Sequence, residues 1–115
     1  MSAAQVEVAK LIIQESERQD YPDPLLALYI AYAESGLNPK AKNANSSASG
    51  TFQFIRSTWQ RNCEGSVFDT VNNVRCGIKL LKEPGGHNHW AASLHYWLKP
   101  YTAASIAYSK IVHGF

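Results

Sequence analysis

The 115-residue chain is poor in charge: 17% of its residues are charged, the net excess is only +2, and Lys10, Arg18, Lys40, Arg56 and Lys99 are scattered along it. No basic stripe results, so a nucleic acid is not an expected partner. No apolar run approaches the ~20 residues that a membrane-spanning helix needs, and no span is expected. Met1 leads into the polar Ser2 and Gln5 instead of a basic and then an apolar stretch, so an export leader is absent from the sequence as it stands. The two cysteines, Cys63 and Cys76, lie 13 positions apart with no CxxC pair and no histidine at ligand spacing, which argues against zinc. No metal and no cofactor is expected. One disulfide and two free thiols both stay open, and a bond would place the protein outside a reducing cytosol. A glycine period and heptads of charged residues are missing, while 45% of residues are hydrophobic; collagen-like, coiled-coil and disordered classes are excluded. One globular domain over 1–115 is expected, burying roughly two thirds of its unfolded surface, and acting as a monomer.

What is present reads as helices. Val6, Ala9, Ile12 and Ile13 repeat at helical spacing between Ala3 and Gln19. Asp23-Pro24 is a helix start, because Asp caps free backbone N–H groups and Pro loses no bond at the first helical position. Leu25 to Ser35 follows as a helix apolar nearly all round, closed by Gly36 and barred from resuming by Pro39. Lys40 to Gly50 is aperiodic and rich in Asn and Ser, a surface loop of the length that often carries function. The second part of Thr51 to Asn62 is predicted helical. Asp69 caps a helix in which Val71, Val74, Ile78 and Leu81 repeat at three- and four-residue steps and which ends near Pro84. Trp90 to Leu98 is predicted as a short helix stopped before Pro100, and Thr102 caps a last one with Ile106 and Ile111 facing the core. Alternation typical of strands is lacking, so the class is all-α, or α with a minimal hairpin.

Glu34 is the only charge between Pro24 and Pro39, and it lies in the final turn of a helix built for burial. The negative end of the helix dipole and burial both hold a proton on such a carboxyl, which suits a general acid. From Ser35 to Cys63 there is no Asp or Glu, but there are Asn38, Asn43, Asn45, Gln53, Thr58 and several serines, interleaved with Phe52, Phe54 and Trp59. Neutral hydrogen-bonding groups beside apolar rings suit a sugar. A phosphate-cradling GxxxxGK loop is absent. His95 is a second acid-base candidate because imidazole titrates near neutrality, though a histidine among aromatics more often has a structural role. Trp59, Trp90 and Trp97 read as core before sugar platform.

Taken in order, Glu34-Ser35-Gly36, Asn38-Pro39, Ser49-Gly50-Thr51-Phe52-Gln53-Phe54 and Ser57-Thr58-Trp59 resemble the catalytic core of the lysozyme-like lytic transglycosylases, the soluble lytic transglycosylase domain. Gly50 and Gln53 form the Gly-x-x-Gln turn 16 and 19 positions after the glutamate. Asp69, Asn73, Gly77 and Leu81 resemble the next helix, and Trp90 to Tyr96 resembles the helix that carries a tyrosine into the cleft; the likeness spans roughly residues 5–110. The chain has Thr51-Phe52 where the family commonly has Leu-Met, Trp97-Leu98-Lys99 where Asn-Ala-Gly commonly follows the tyrosine, and a slightly longer loop over 42–49.

The resemblance implies a lysozyme-like helical domain with a substrate cleft that cuts the β-1,4 bond between N-acetylmuramic acid and N-acetylglucosamine in peptidoglycan glycan strands. Glu34 would serve as both acid and base, leaving a 1,6-anhydromuramic end. Ser35, Phe52, Gln53 and Tyr96 are the expected substrate-binding residues; Ser35 is equally a helix cap, Gln53 a brace of its turn, and Tyr96 a core aromatic. A second carboxylate, which most glycosidases need, is not evident among Glu64, Asp69 and Glu83. A hydrolytic muramidase using the same Glu34 and a non-catalytic peptidoglycan-binding protein on the same fold are the alternatives, with an unrelated helical interaction domain a distant third. The expected location is the periplasm or cell wall space, with delivery by a phage virion or lysis system as one route.

Overall fold

The first helix, α1 (Ala3–Arg18), starts at a capping box: the Ser2 hydroxyl accepts the Gln5 amide at 3.1 Å while the Gln5 side chain accepts the Ser2 amide at 2.8 Å. The computed structural model describes residues 1–113, so the last two positions of the expected 1–115 domain lie outside the described residues. Helix α2 (Pro24–Ser35) is capped by Asp23, whose carboxylate accepts the Leu26 amide at 3.1 Å, and it closes at Gly36 in the left-handed conformation with φ 62°. The Gln5 amide then donates to the Gly36 carbonyl at 3.0 Å, tying the start of α1 to the end of α2.

Residues 41–54 double back on themselves without forming a strand. Isolated bridges pair Lys42 with Ser49 and Ser49 with Phe54, which is the minimal hairpin allowed for by the sequence. Short α3 (Arg56–Asn62) follows, then α4 (Thr70–Leu81), capped by Asp69. A 3₁₀ segment (Gly86–Ser93), irregular at Trp90, leads directly into α5 (Leu94–His113). Helix α1 packs on α2 and α4, and α2 packs on α5 and the 3₁₀ segment. Among the described residues no β-strand occurs, and no helix is long and apolar enough to cross a membrane.

Ile12, Ile30, Ile78 and Phe52 are fully buried at the centre, each contributing about 1.5–3 kcal/mol by leaving water. Trp59, Trp90 and Trp97 join them, and each indole N–H is satisfied, donating to the Gly65, Phe52 and Trp90 carbonyls at 3.0, 2.9 and 3.2 Å. Glu15 of α1 pairs with Arg18 and with Arg75 of α4; the Arg18 hydrogen bond chiefly holds its carboxyl below the ordinary carboxylate range. Cys63 and Cys76 are bonded, with Cα atoms 5.6 Å apart, and join the end of α3 to α4.

Three expectations need correction. Pro100 does not stop a helix, because α5 runs through it. Proline removes only the hydrogen bond to the carbonyl of Tyr96, a residue on the solvent side, while buried Trp97 and the Tyr101 hydroxyl bonded to Asp23 anchor the helix on both sides of it. Thr102 accordingly lies within α5 and donates to the Leu98 carbonyl at 2.8 Å instead of capping a new helix. Ile106 and Ile111 face solvent, the latter 82% exposed, because the far half of α5 has fewer elements beside it; Val71 also points outward, and Asn73 and Gly77 occupy the inner face of α4 with Val74 and Ile78.

Candidate active site

Glu34 occupies the last turn of α2, half-buried, where the helix approaches both the 49–54 turn and the 3₁₀ segment. Burial pushes its carboxyl above the ordinary carboxylate range, and a hydrogen bond with Ser93 draws it part of the way back. Ser93 itself is buried and donates to the Trp90 carbonyl at 3.2 Å.

The neighbouring Ser35 directs its hydroxyl away from the acid, onto the Thr51 carbonyl at 2.6 Å, and it accepts the Asn38 amide at 3.2 Å. As the last residue of α2 it holds the chain leaving the helix and straps α2 to the turn. The turn is held from its other side by Trp90, whose indole reaches the Phe52 carbonyl. Ser35 and Trp90 thus fasten the turn to the end of α2 and to the 3₁₀ segment. The turn beside the acid is consequently held from two directions.

The turn needs its unusual residues. Gly50 has φ 81°, and a Cβ there would lie 2.2 Å from the Asn73 amide nitrogen and 2.4 Å from the Val67 carbonyl. Gln53 also adopts a left-handed conformation, φ 53°, and its side-chain nitrogen donates to the Gly50 and Ala41 carbonyls at 2.9 and 3.1 Å. Its donor end braces the turn. Beneath the turn, Gly77 leaves room for Phe52, since a Cβ on Gly77 would stand 2.6 Å from the ring.

Phe52 corrects the expectation of a sugar contact. Its side chain is 0% exposed and packs on Trp90 with ring centroids 5.6 Å apart, while its backbone N–H and C=O are taken by Asn73 and Trp90. Phenylalanine fills the apolar slot so well that nothing of it faces solvent. Tyr96 is not a core aromatic either: it is 66% exposed, with its ring against His95 at 3.9 Å, on the outer side of α5. His95 lines a shallow apolar groove there with Leu94 and Leu98. Beside Gln53 a cleft of about 110 Å³ opens between Phe54, Ile55, Thr58, His89 and Trp90, with the His89 ring edge-on to Trp90 at 5.8 Å. It offers an aromatic wall, an amide and a hydroxyl, a set that suits a sugar ring.

Ser93 and Asn73 are the two site-forming residues whose roles were not evident from the sequence. Asn73 stands at an inward helical position, which could have flagged it, because a fully buried amide must find partners. Ser93 carries no such signal. Among the described residues no group of three or more His, Cys, Asp or Glu side chains stands ready to hold a metal ion. A model of the transglycosylase SLT domain family matches residues 10–108 of the chain. No curated protein and no solved structure matches it significantly.

Proposed function

Since the chain belongs to the transglycosylase SLT domain family, whose members cleave peptidoglycan, we propose that Glu34 alone performs acid and base steps on the β-1,4 bond between N-acetylmuramic acid and N-acetylglucosamine. The observation that carries this reading is the environment of Glu34: a half-buried carboxyl, its proton affinity raised by burial, at the junction of α2, the Gln53 turn and the 3₁₀ segment. A raised proton affinity is the direction in which a carboxyl is tuned to serve as a general acid. Other carboxylates have separate tasks. Asp23 and Asp69 cap helices, Glu15 is paired with two arginines, and Glu64 lines a hollow beside the disulfide.

In the first step Glu34 passes its proton to the glycosidic oxygen as the bond from C1 breaks and its electron pair goes to that oxygen. The carbonyl oxygen of the substrate's own N-acetyl group bonds C1 in place of an enzyme nucleophile. In the second step the Glu34 carboxylate takes the proton of the 6-hydroxyl, whose oxygen attacks C1 and displaces the N-acetyl oxygen. Glu34 regains its proton, and a 1,6-anhydromuramic end is left without consumption of water. The cleft beside Gln53 is the proposed seat of one sugar, with His89 and Trp90 as its wall. The Cys63–Cys76 bond accords with action in an oxidising setting such as the periplasm or cell wall space.

Incubation of the protein and its Glu34→Gln variant with purified peptidoglycan, followed by mass spectrometry of the released muropeptides, tests the proposal. Anhydro products, one water lighter than hydrolysed ones, should appear with the wild type and vanish with the variant. Reducing ends lost in the variant would mean a hydrolase, and full activity in the variant would remove Glu34 from the chemistry. Binding without any release would leave a peptidoglycan-binding protein.

A further inference from the structure

The basic residues are scattered along the sequence, yet the fold gathers three of them around one hollow. This cavity of about 440 Å³ opens between the end of α3 and the outer side of α4, where Arg61, Glu64, Arg75 and Lys79 surround the Cys63–Cys76 bond. Glu64 is the only acid lining it, and among the described residues it forms no ion pair with any of the three cations. The Arg61 guanidinium likewise has no hydrogen-bond or ion-pair partner among the described residues. Lys79 uses one of its three N–H groups on the Asn62 carbonyl at 2.8 Å. Arg75 reaches Glu15 through Nε at 3.4 Å, but that carboxylate is held chiefly by Arg18. Positive charge therefore exceeds negative around a hollow whose two walls are joined by a disulfide, and an anion is what would balance it.

The hollow adjoins the proposed sugar cleft. Thr58 lines the cleft beside Gln53, whereas Arg61 and Asn62, three and four positions further on, line the hollow. Residues at these spacings share one face of a helix, and the Asn62 amide donates to the Thr58 carbonyl at 2.9 Å. The two cavities thus meet α3 about one turn apart, roughly 5 Å along its axis. A muramic acid in the cleft carries a peptide stem on its lactyl group, and an extended peptide covers about 3.3–3.6 Å per residue. One or two stem residues are enough to bridge that step.

We propose that this hollow binds the carboxylates of peptidoglycan stem peptides, with Arg61 as the principal partner and Lys79 and Arg75 as supporting charges. The inference rests on the reading of the chain as acting on peptidoglycan. A free guanidinium fork matches the two oxygens of a carboxylate. The stem also arrives tethered to the sugar, so its carboxylates are presented to the hollow at high effective concentration. Strands that keep their stems are then preferred over bare ones.

The test measures binding by titration calorimetry on the full chain carrying Glu34→Gln, which removes the proposed acid and keeps the probes uncut. The probes are soluble glycan strands bearing stems and the same strands stripped of stems by an amidase. Stem-bearing strands should bind about three- to tenfold more tightly at low salt, and the preference should shrink as salt is raised. Arg61→Gln with Lys79→Gln should bring the preference close to one. Glu64→Gln should widen it about twofold, and Lys10→Gln, which removes a charge of α1 outside the hollow, should leave it as it was. Strands whose stem carboxyls are converted to amides should bind like stripped ones. A preference that survives the paired change overturns the proposal, as does one that Lys10→Gln lowers equally, that Glu64→Gln lowers, or that amidated stems retain. Should the paired variant not fold, Arg61→Gln and Glu64→Gln, both at exposed side chains without partners, must move the preference in opposite directions or the proposal fails. Binding of both strands with no preference overturns this proposal alone. Binding of neither overturns the peptidoglycan reading and this proposal with it.

Discussion

The side-chain oxygen of Asn73 accepts the backbone N–H of Phe52 at 2.8 Å, across 21 positions of sequence. The same amide donates to the Val67 carbonyl at 2.8 Å, so one fully buried residue of α4 fastens both the proposed catalytic turn and the loop leading into its own helix. A turn that carries left-handed Gly50 and Gln53 has little regular structure to hold it. Asn73 supplies from the side what a β-ladder would have supplied along the chain.

Asn73→Ala should therefore be among the most damaging single changes in α4. It strands a buried N–H, costing about 1–3 kcal/mol, and the partly buried Val67 C=O, and it opens a void. Thermal unfolding should lose on the order of ten degrees, and peptidoglycan cleavage at a temperature where the variant is still folded should fall as well, because Phe52 and Thr51 lose their fixed relation to Glu34. A midpoint within two or so degrees of wild type would show that the turn is held by other contacts.

Glu34 should make the protein less stable as the solution becomes less acidic. Because its folded-state proton affinity exceeds that of the unfolded chain, the unfolded form releases this proton first as pH rises. Stability is then lost from the ordinary carboxylate range up to the folded-state value and is level beyond it. Glu34→Gln removes this dependence. Its unfolding midpoint should equal that of wild type at about pH 3–4 and exceed it by a few degrees at about pH 7. Glu15 acts in the opposite sense, since the arginines that lower its proton affinity contribute stability above the unfolded value that is lost as pH falls through the folded one. A Glu34→Gln protein less stable than wild type at neutral pH would contradict the buried-acid description.

Reduction of the Cys63–Cys76 bond should lower stability without abolishing the fold. The bond closes a loop spanning 13 positions, for which the chain-entropy argument gives about 3 kcal/mol. The core on α1, α2 and the 3₁₀ segment does not depend on it. Calorimetry with and without reductant should show a midpoint lower by roughly ten degrees and a retained cooperative transition. No shift on full reduction would mean that α3 and α4 are held equally well by packing alone.

The sequence by itself determined the helices and their limits wherever local chemistry was decisive: the Ser2 box, Asp23-Pro24 with Gly36, and Asp69 each set a boundary through backbone groups only a few residues away. It also singled out Glu34, because a lone acid in an apolar helix is visible as a break in pattern. What only the tertiary structure decided were relations between distant positions. Whether Pro100 ended a helix depended on Trp97 and Tyr101 having partners elsewhere. The inward place of Phe52 depended on the space above Gly77, and the partner of Glu34 was a serine 59 positions away, whose type fits a surface loop as well as a buried joint. Caps and periodicity act within a turn or two of helix, whereas burial and long-range hydrogen bonds are properties of the packed whole.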